Sequence, residues 1–326
     1  MDKDNNELEY TADQTISSMG ASQRTEPINE SDNNPINAWL LLSINMKLLK
    51  VAIPAVSSSL VIIMVEAISM MYVGHLNDTH AVAGVGLAVV YVNGTTTSVL
   101  MGLNGAVGVL VSIAYGQGDL TDCERILQRG KILCFLASIP LFFVQISCYP
   151  ILIYLGVEEP VAMYTAQYGF FLFLAMTFHC QFDCYRNFLN SVGQSKILQY
   201  AVSSTIFIHI VLCYLLTMYW DFGVMGVSFS TMVTIFFNML FVMIYAWKVS
   251  EYEIRPVPRR MKPLLRQHDL RTYMSIGVPS IIMLMAEWIG VEIMIVLAAT
   301  ISVSALGAMS ISYSFFNIIY QFPYGF

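Results

Sequence analysis

Beyond its first few dozen residues the chain is a succession of long apolar runs separated by short polar breaks. About 20 consecutive apolar residues cross the hydrocarbon core of a bilayer as one helix. Runs of that length are read at roughly 51 to 73, 81 to 115, 132 to 155, 161 to 185, 197 to 219, 224 to 247, 273 to 300 and 305 to 326. Stretches such as ILCFLASIPLFFVQISCYPILIYL lack the period-two alternation of a membrane barrel strand. The pattern predicts an all-α polytopic membrane protein of about eight transmembrane helices.

Composition agrees: 56% of the 326 residues are hydrophobic and 12% charged, where a soluble domain carries roughly a quarter charged. The first 46 residues are polar and acidic and predict a disordered tail. No charged n-region and apolar h-region open the chain, so a removable signal peptide is not expected. With these spans, all 16 basic residues fall on one side. They include Lys47 and Lys50, Arg125, Arg129 and Lys131, Arg186 and Lys196, and the stretch from Lys248 to Arg271. The opposite loops carry Asp78, Glu158, Glu159 and Asp221. Basic loops are cytoplasmic, which predicts a cytoplasmic N-terminus.

The same rule decides the uncharged stretch 81–118, whose 38 residues would make roughly 57 Å of helix. Two spans there would place Arg125, Arg129 and Lys131 outside. One long helix, bent along its glycines, keeps the charges together. The organisation expected is a tail (1–46), a six-helix N-lobe (47–247), a basic inter-lobe loop (248–272) and the first two helices of a second lobe (273–326). The loop's seven basic residues also suit anionic lipid. The net charge of −6 comes from the acidic tail, and no nucleic-acid partner is expected. The six cysteines lie in spans or on the basic side, where disulfides are rare.

An internal repeat underlies the two-lobe reading. KVAIPAVSSSLVIIMVEAISMM matches SIGVPSIIMLMAEWIGVEIMIV in character, with Pro54 falling on Pro279 at an offset of 225. Related halves with a site between them near the membrane midplane are common among secondary transporters.

Ionisable residues within spans cost about 2.5 to 3.5 kcal/mol at the helix centre on insertion scales, and face cavities or bundle interiors. Glu66, Asp183, Glu287 and Glu292 are in this class. From Thr272 to Phe326 no Lys or Arg is available to Glu287 and Glu292. An intramembrane carboxyl without a cationic partner is suited to alternate between a proton and an organic cation. Glu287 and Glu292 are five residues apart, about 140° around a helix, so they need separate roles: Glu287 for exchange, Glu292 on the cavity wall. Trp288 offers either a cation–π face or packing surface. Glu66 holds the corresponding place in the first repeat. Asn93 is either a polar cavity contact or interhelical glue.

Asp183 lies three residues before Arg186, a spacing that favours a structural ion pair. The string HCQFDC puts Cys180 and Cys184 on one face but turns His179 about 100° from Cys180, a poor match to a closed four-ligand site. Asn77-Asp78-Thr79 is a glycosylation sequon in a very short loop. No Walker loop, GxSxG elbow or HExxH occurs, so neither an ATP-driven pump nor a hydrolase is expected, and no enzyme activity or cofactor beyond a coupling ion.

With MMYVGHLNDTHAVAGVGLA, then NGTTTSVLMGLNGA, YGQGDL, ILQRG, GVPSIIMLMAEWIGVEI and YQFPYGF in order, the chain resembles the multidrug and toxic compound extrusion (MATE) family, most of all its eukaryotic branch. That resemblance implies cation-coupled antiport exporting organic cations or xenobiotics, with H+ or Na+ as coupling ion, through a cavity between two six-helix lobes. By similarity, Glu287 matches the seventh-span glutamate on which coupling depends, Glu292 its companion and Asn93 an N-lobe cavity asparagine. Ser69 stands where many bacterial members carry aspartate, and Glu66, one turn earlier, is the substitute. The family continues several spans beyond YQFPYGF, so the rest of the second lobe, or a second copy, is an expected partner besides lipid. A eukaryotic plasma or vacuolar membrane is the expected location. Two other classes fit the residues less well. A receptor-like or regulatory fragment does not need repeated unpaired carboxylates, and a flippase of lipid-linked sugars would line its cavity with cations.

Overall fold

A computed structural model describes residues 38–248, 254, 266–301 and the single positions 312, 316 and 319. Residues 1–37, most of the basic loop and nearly all of the eighth predicted span lie outside the described residues. Residues 1–48 and 49–326 form separate units. The first contributes the start of helix α1, and the candidate site residues all lie in the second.

The helices are α1 (Ala38–Gly74), α2 (Thr79–Val92), α3 (Ser98–Gly116), α4 (Leu120–Ile146), α5 (Cys148–Tyr154), α6 (Glu159–Ser191), α7 (Lys196–Cys213), α8 (Gly223–Lys248) and α9 (Gln267–Ile301). A π-helical turn at Asn93–Thr97 fuses α2 to α3, and another at Tyr214–Tyr219 extends α7. Among the described residues, six helices are long and apolar enough to cross a membrane, the fused Thr79–Gly116 rod being one of them. Leu60–Gly74 of α1 is a shorter apolar stretch. The all-α reading and the single long second helix therefore hold.

The largest differences in helix bounds from the sequence reading are at α1 and α4. Helix α1 already begins at Ala38, inside the predicted tail. Helix α4 begins at Leu120 rather than near 132, and ends at Ile146 before the short α5. Asp119 caps α4 by accepting the Asp122 N–H at 3.0 Å. Cys123, Ile126 and Leu127 are buried while Arg125 is exposed, so these first turns are amphipathic and helical. Hydropathy marks where the apolar layer starts, which is not where the helix starts.

Helix α6 is the central post, packed against α2, α3, α4 and α8. Small residues permit the close approaches, as in membrane bundles generally. A Cβ on Gly84 of α2 would come within 2.6 Å of Tyr164 Cβ on α6, and Thr165 Oγ1 donates to Gly84 O at 3.0 Å. Outward, α4 exposes Phe135, Ile139, Phe143 and Ile146, an arrangement suited to lipid.

The first π-turn is stabilised by its own hydroxyls. Thr95 donates to Tyr91 O at 2.6 Å, Ser98 to Gly94 O at 2.8 Å and Thr97 to Asn93 Oδ1 at 3.1 Å. Such side chains re-satisfy backbone groups that local widening frees inside a membrane helix.

Between α1 and α2, Asp78 caps α2 by accepting the N–H groups of His80 and Ala81, and Tyr164 of α6 donates to its other oxygen at 2.8 Å. The Tyr164 hydrogen bond, followed by those backbone donors, holds the carboxyl below its usual range against a smaller opposing effect of desolvation. A depressed carboxyl stabilises the fold above its unfolded pKa and loses that contribution as pH falls through its folded value. Tyr164→Phe should therefore lower the melting temperature at neutral pH, with the difference from the parent closing as the solution is acidified below the usual carboxylate range. Thermal melts in detergent at several pH values would measure this, and a pH-independent difference would refute it.

Candidate functional site

Helix α9 lies along α3 as far as Ile281 and then meets the π-turn at Asn93–Thr97. Within the seam, Tyr273 is fully buried and donates to Leu103 O at 2.7 Å. A Cβ on Gly277 would reach 3.4 Å from Leu103 Cδ2 and one on Gly105 3.3 Å from Ser280 Oγ. At Gly102 the helices meet backbone to backbone, where a Cβ would fall 2.5 Å from Ile281 Cα. No flexible side chain can yield there, so Gly102→Val is expected to force the helices apart. Overpacking typically costs about 1–3 kcal/mol, and this position belongs at the upper end. Denaturant titration in micelles checks it, and an unchanged midpoint would show that the contact is looser.

Past Ile281, the side chains of Ile282, Met283, Glu287, Ile289, Ile293 and Met294 are exposed. Glu287 therefore stands on an uncovered face, not in the buried setting that its apolar neighbours suggested. It makes no ion pair among the described residues. Trp288 is half-buried, and the Glu292 side chain lies outside the described residues. Pro279 falls inside α9 within the seam, eight residues before Glu287.

Asn93 is half-buried at the start of the first π-turn, and that turn contacts α9. The structure thus brings the Asn93 segment to the helix of Glu287. Glu66 is exposed on α1, one turn before Ser69, which meets α7 and α8. Ser69 is buried, with its Oγ 3.1 Å from His209 Nε2 and 3.1 Å from Thr231 Oγ1, and His209 Nδ1 is 3.1 Å from Thr234 Oγ1. Thr234 donates to Ser230 O and Thr231 to Val227 O. Ser69 donates likewise to Val65 O at 2.9 Å, so the hydroxyls on both sides of the ring give their protons to helix carbonyls and the imidazole can donate to either. Cys213 Sγ lies 3.5 Å from Nε2. Sequence reading missed this network because its residues come from three helices. A lone His in the apolar run of α7 was its one sign.

The HCQFDC string divides between two tasks. Asp183 pairs with Arg186 at 2.9 Å, as its spacing predicted, with His179 3.8 Å from the other oxygen. Cys180 and Cys184 turn the opposite way, onto Asn104 of α3. The Asn104 Oδ1 accepts from Cys184 at 2.9 Å and from Cys134 of α4 at 3.3 Å, while its Nδ2 donates to Cys180 O at 3.0 Å. One amide thus ties three helices together. Among the described residues, no three of His, Cys, Asp and Glu are placed to hold a metal ion, and all six cysteines are free and buried.

Known proteins give the arrangement its context. The family model MatE matches residues 54–215. Multidrug and toxin extrusion protein 1 of Danio rerio is 28% identical over 302 residues, covering 88% of this chain and 49% of that protein. Protein DETOXIFICATION 16 of Arabidopsis thaliana is 24% identical over 274 residues, covering 83% of this chain and 56% of its own length. The chain spans about half the length of the curated relatives it matches. Among solved structures, the eukaryotic MATE transporter AtDTX14 superposes with a TM-score of 0.79 at 23% identity, over 87% of this chain and 63% of that one. A MOP superfamily transporter from Pyrococcus furiosus gives 0.72 at 16%, over 85% and 62%. Matching family model, relatives and fold agree with the span pattern: the chain is a multi-pass membrane protein and belongs to the MATE family.

Proposed function

We propose that the chain forms the N-lobe and the start of the second lobe of a cation-coupled antiporter that exports organic cations, and that Glu287 is the exchange group. The observation that carries this reading is the setting of Glu287. It is an exposed carboxylate on an otherwise apolar helix face, in a segment without a single Lys or Arg from Thr272 to Phe326. A proton and an organic cation are the two species that such a group can take in turn, and binding either one displaces the other. Asn93, on the turn that touches α9, supplies a neutral polar contact to the substrate, and Trp288 an aromatic face for the cation. Glu292 and Glu66 are the further acidic groups of the same cavity.

The basic ends of the helices face the cytoplasm in this reading, so the chain closes the cytoplasmic side and leaves Glu287 open to the other. The coupling ion is the proton. The test is uptake of radiolabelled tetraethylammonium into vesicles carrying the chain, with an imposed proton gradient. Saturable accumulation that a protonophore abolishes is expected. Accumulation that follows a sodium gradient would overturn proton coupling, and none under either gradient would overturn antiport by this chain.

A further inference from the structure

The seam between α3 and α9 ends, on the basic side, in two contacts that the antiport reading leaves unused. Arg129 of α4 is 4% exposed, yet its Nη2 reaches Asp269 Oδ2, in the first turn of α9, at 2.9 Å. The other Asp269 oxygen is 3.5 Å from the exposed His268. One turn deeper, Tyr273 donates to Leu103 O. Gly130, the residue after Arg129, makes room for that phenol, since a Cβ there would lie 3.1 Å from the Tyr273 hydroxyl and 2.4 Å from Val107 Cγ2. Asp269, Tyr273, Gly277 and Ile281 follow at four-residue steps, so one stripe of α9 faces the N-lobe from its basic end to Gly102. Glu287 lies six residues beyond Ile281, about 9 Å further along the helix.

We infer that the Arg129–Asp269 pair and the Tyr273–Leu103 hydrogen bond are a latch that holds the seam shut, and that both must release before Glu287 can be reached from the basic side. The inference rests on the antiport reading only for its place in a cycle; the latch itself is a property of the seam. Its parts suit release. Asp269 is 37% exposed at its side chain, so water can take over its half of the pair. Tyr273 bonds a helix carbonyl, whose second lone pair serves the helix whether or not the phenol is present. Glycines line the sliding surface, so α9 has few interlocking side chains to clear. Arg129 and Tyr273 thereby act as positioning residues: they touch neither proton nor substrate, and they set how often the inner path is open.

The test reads access, not transport. Ser280, about 16 Å along α9 from Asp269, is replaced by Cys, and labelling by a membrane-impermeant maleimide is timed from each side. The chain without Ser280→Cys gives the background from the six buried native cysteines. Tyr273→Phe keeps the ring and removes one hydrogen bond, and should speed labelling from the basic side about fivefold, the ratio one such bond gives. Asp269→Asn should do the same, whereas Asp269→Glu, which keeps the carboxylate, should label near the parent rate. A variant whose native cysteines also label has unfolded, and the other variant then decides. Parent-rate labelling of both Tyr273→Phe and Asp269→Asn would overturn the latch, as would equal acceleration from the opposite side. Failure of tetraethylammonium uptake would remove the antiport reading and leave this labelling result standing.

Discussion

Glu287→Gln is expected to bring proton-driven uptake of tetraethylammonium down to that of vesicles without the chain, while the helix content and melting temperature stay at the parent values. Glutamine matches glutamate in size and still hydrogen-bonds, so packing is preserved. It can neither release a proton nor offer a full negative charge. A cation about 4 Å from a carboxylate gains roughly 1 kcal/mol in bulk water and about 4 kcal/mol at a partly shielded surface. Losing that attraction weakens binding between about fivefold and a thousandfold, and loss of the exchangeable proton removes coupling altogether. Stability should not change, because Glu287 is exposed and has no ion pair among the described residues. Glu287→Asp keeps the charge and should retain part of the uptake. Full uptake by Glu287→Gln would rule this carboxylate out as the exchange group.

Arg186→Met carries the largest expected cost in stability, about 3–5 kcal/mol, the range for removing one partner of a buried pair. The Asp183 side chain is 2% exposed and that of Arg186 12%. The contact at 2.9 Å is a charge pair rather than an aligned hydrogen bond, so its strength is in the neutralisation itself. Without the guanidinium, Asp183 is left as a carboxylate on the central post of the bundle, with His179 at 3.8 Å able to help only when protonated. The double variant Asp183→Leu/Arg186→Met should recover most of the loss, because well-packed apolar residues often replace a buried pair at little cost. Unfolding titrations of both variants in mixed micelles give the comparison. A single variant as stable as the parent would place the pair in water.

The parts of this molecule that sequence made legible are those governed by one helix at a time. Span length, the unbroken rod from Thr79 to Gly116 and the Asp183–Arg186 pair all follow from hydropathy, charge placement and i,i+3 spacing. What escaped reading depends on neighbours. The early start of α4 rests on burial of Cys123 and Ile126 by other helices. Asn104 carries no distinguishing sign in its glycine-rich run, and only the packing of α4 and α6 reveals three thiols around it. Glu287 was read as an acid in an apolar run, and that was right about its sequence neighbours. Its exposure depends on which face of α9 the rod covers, which no local pattern encodes.

The π-turn at Asn93–Thr97 also fixes a phase. Each residue advances an α-helix by about 100°, and a π-turn accommodates one residue more than the regular helix would. The outer half of the rod presents Gly84 to α6, and the inner half presents Gly102 and Gly105 to α9. With the same residues wound as uninterrupted α-helix, one of these faces would be turned by about 100° from its partner. Between Gly84 and Gly102, removal of one residue is thus compatible with both contacts when the residue lies within 93–97. The same deletion elsewhere between those two glycines would turn one face from its partner, α6 or α9, so the bulge is where this stretch can absorb a change in chain length.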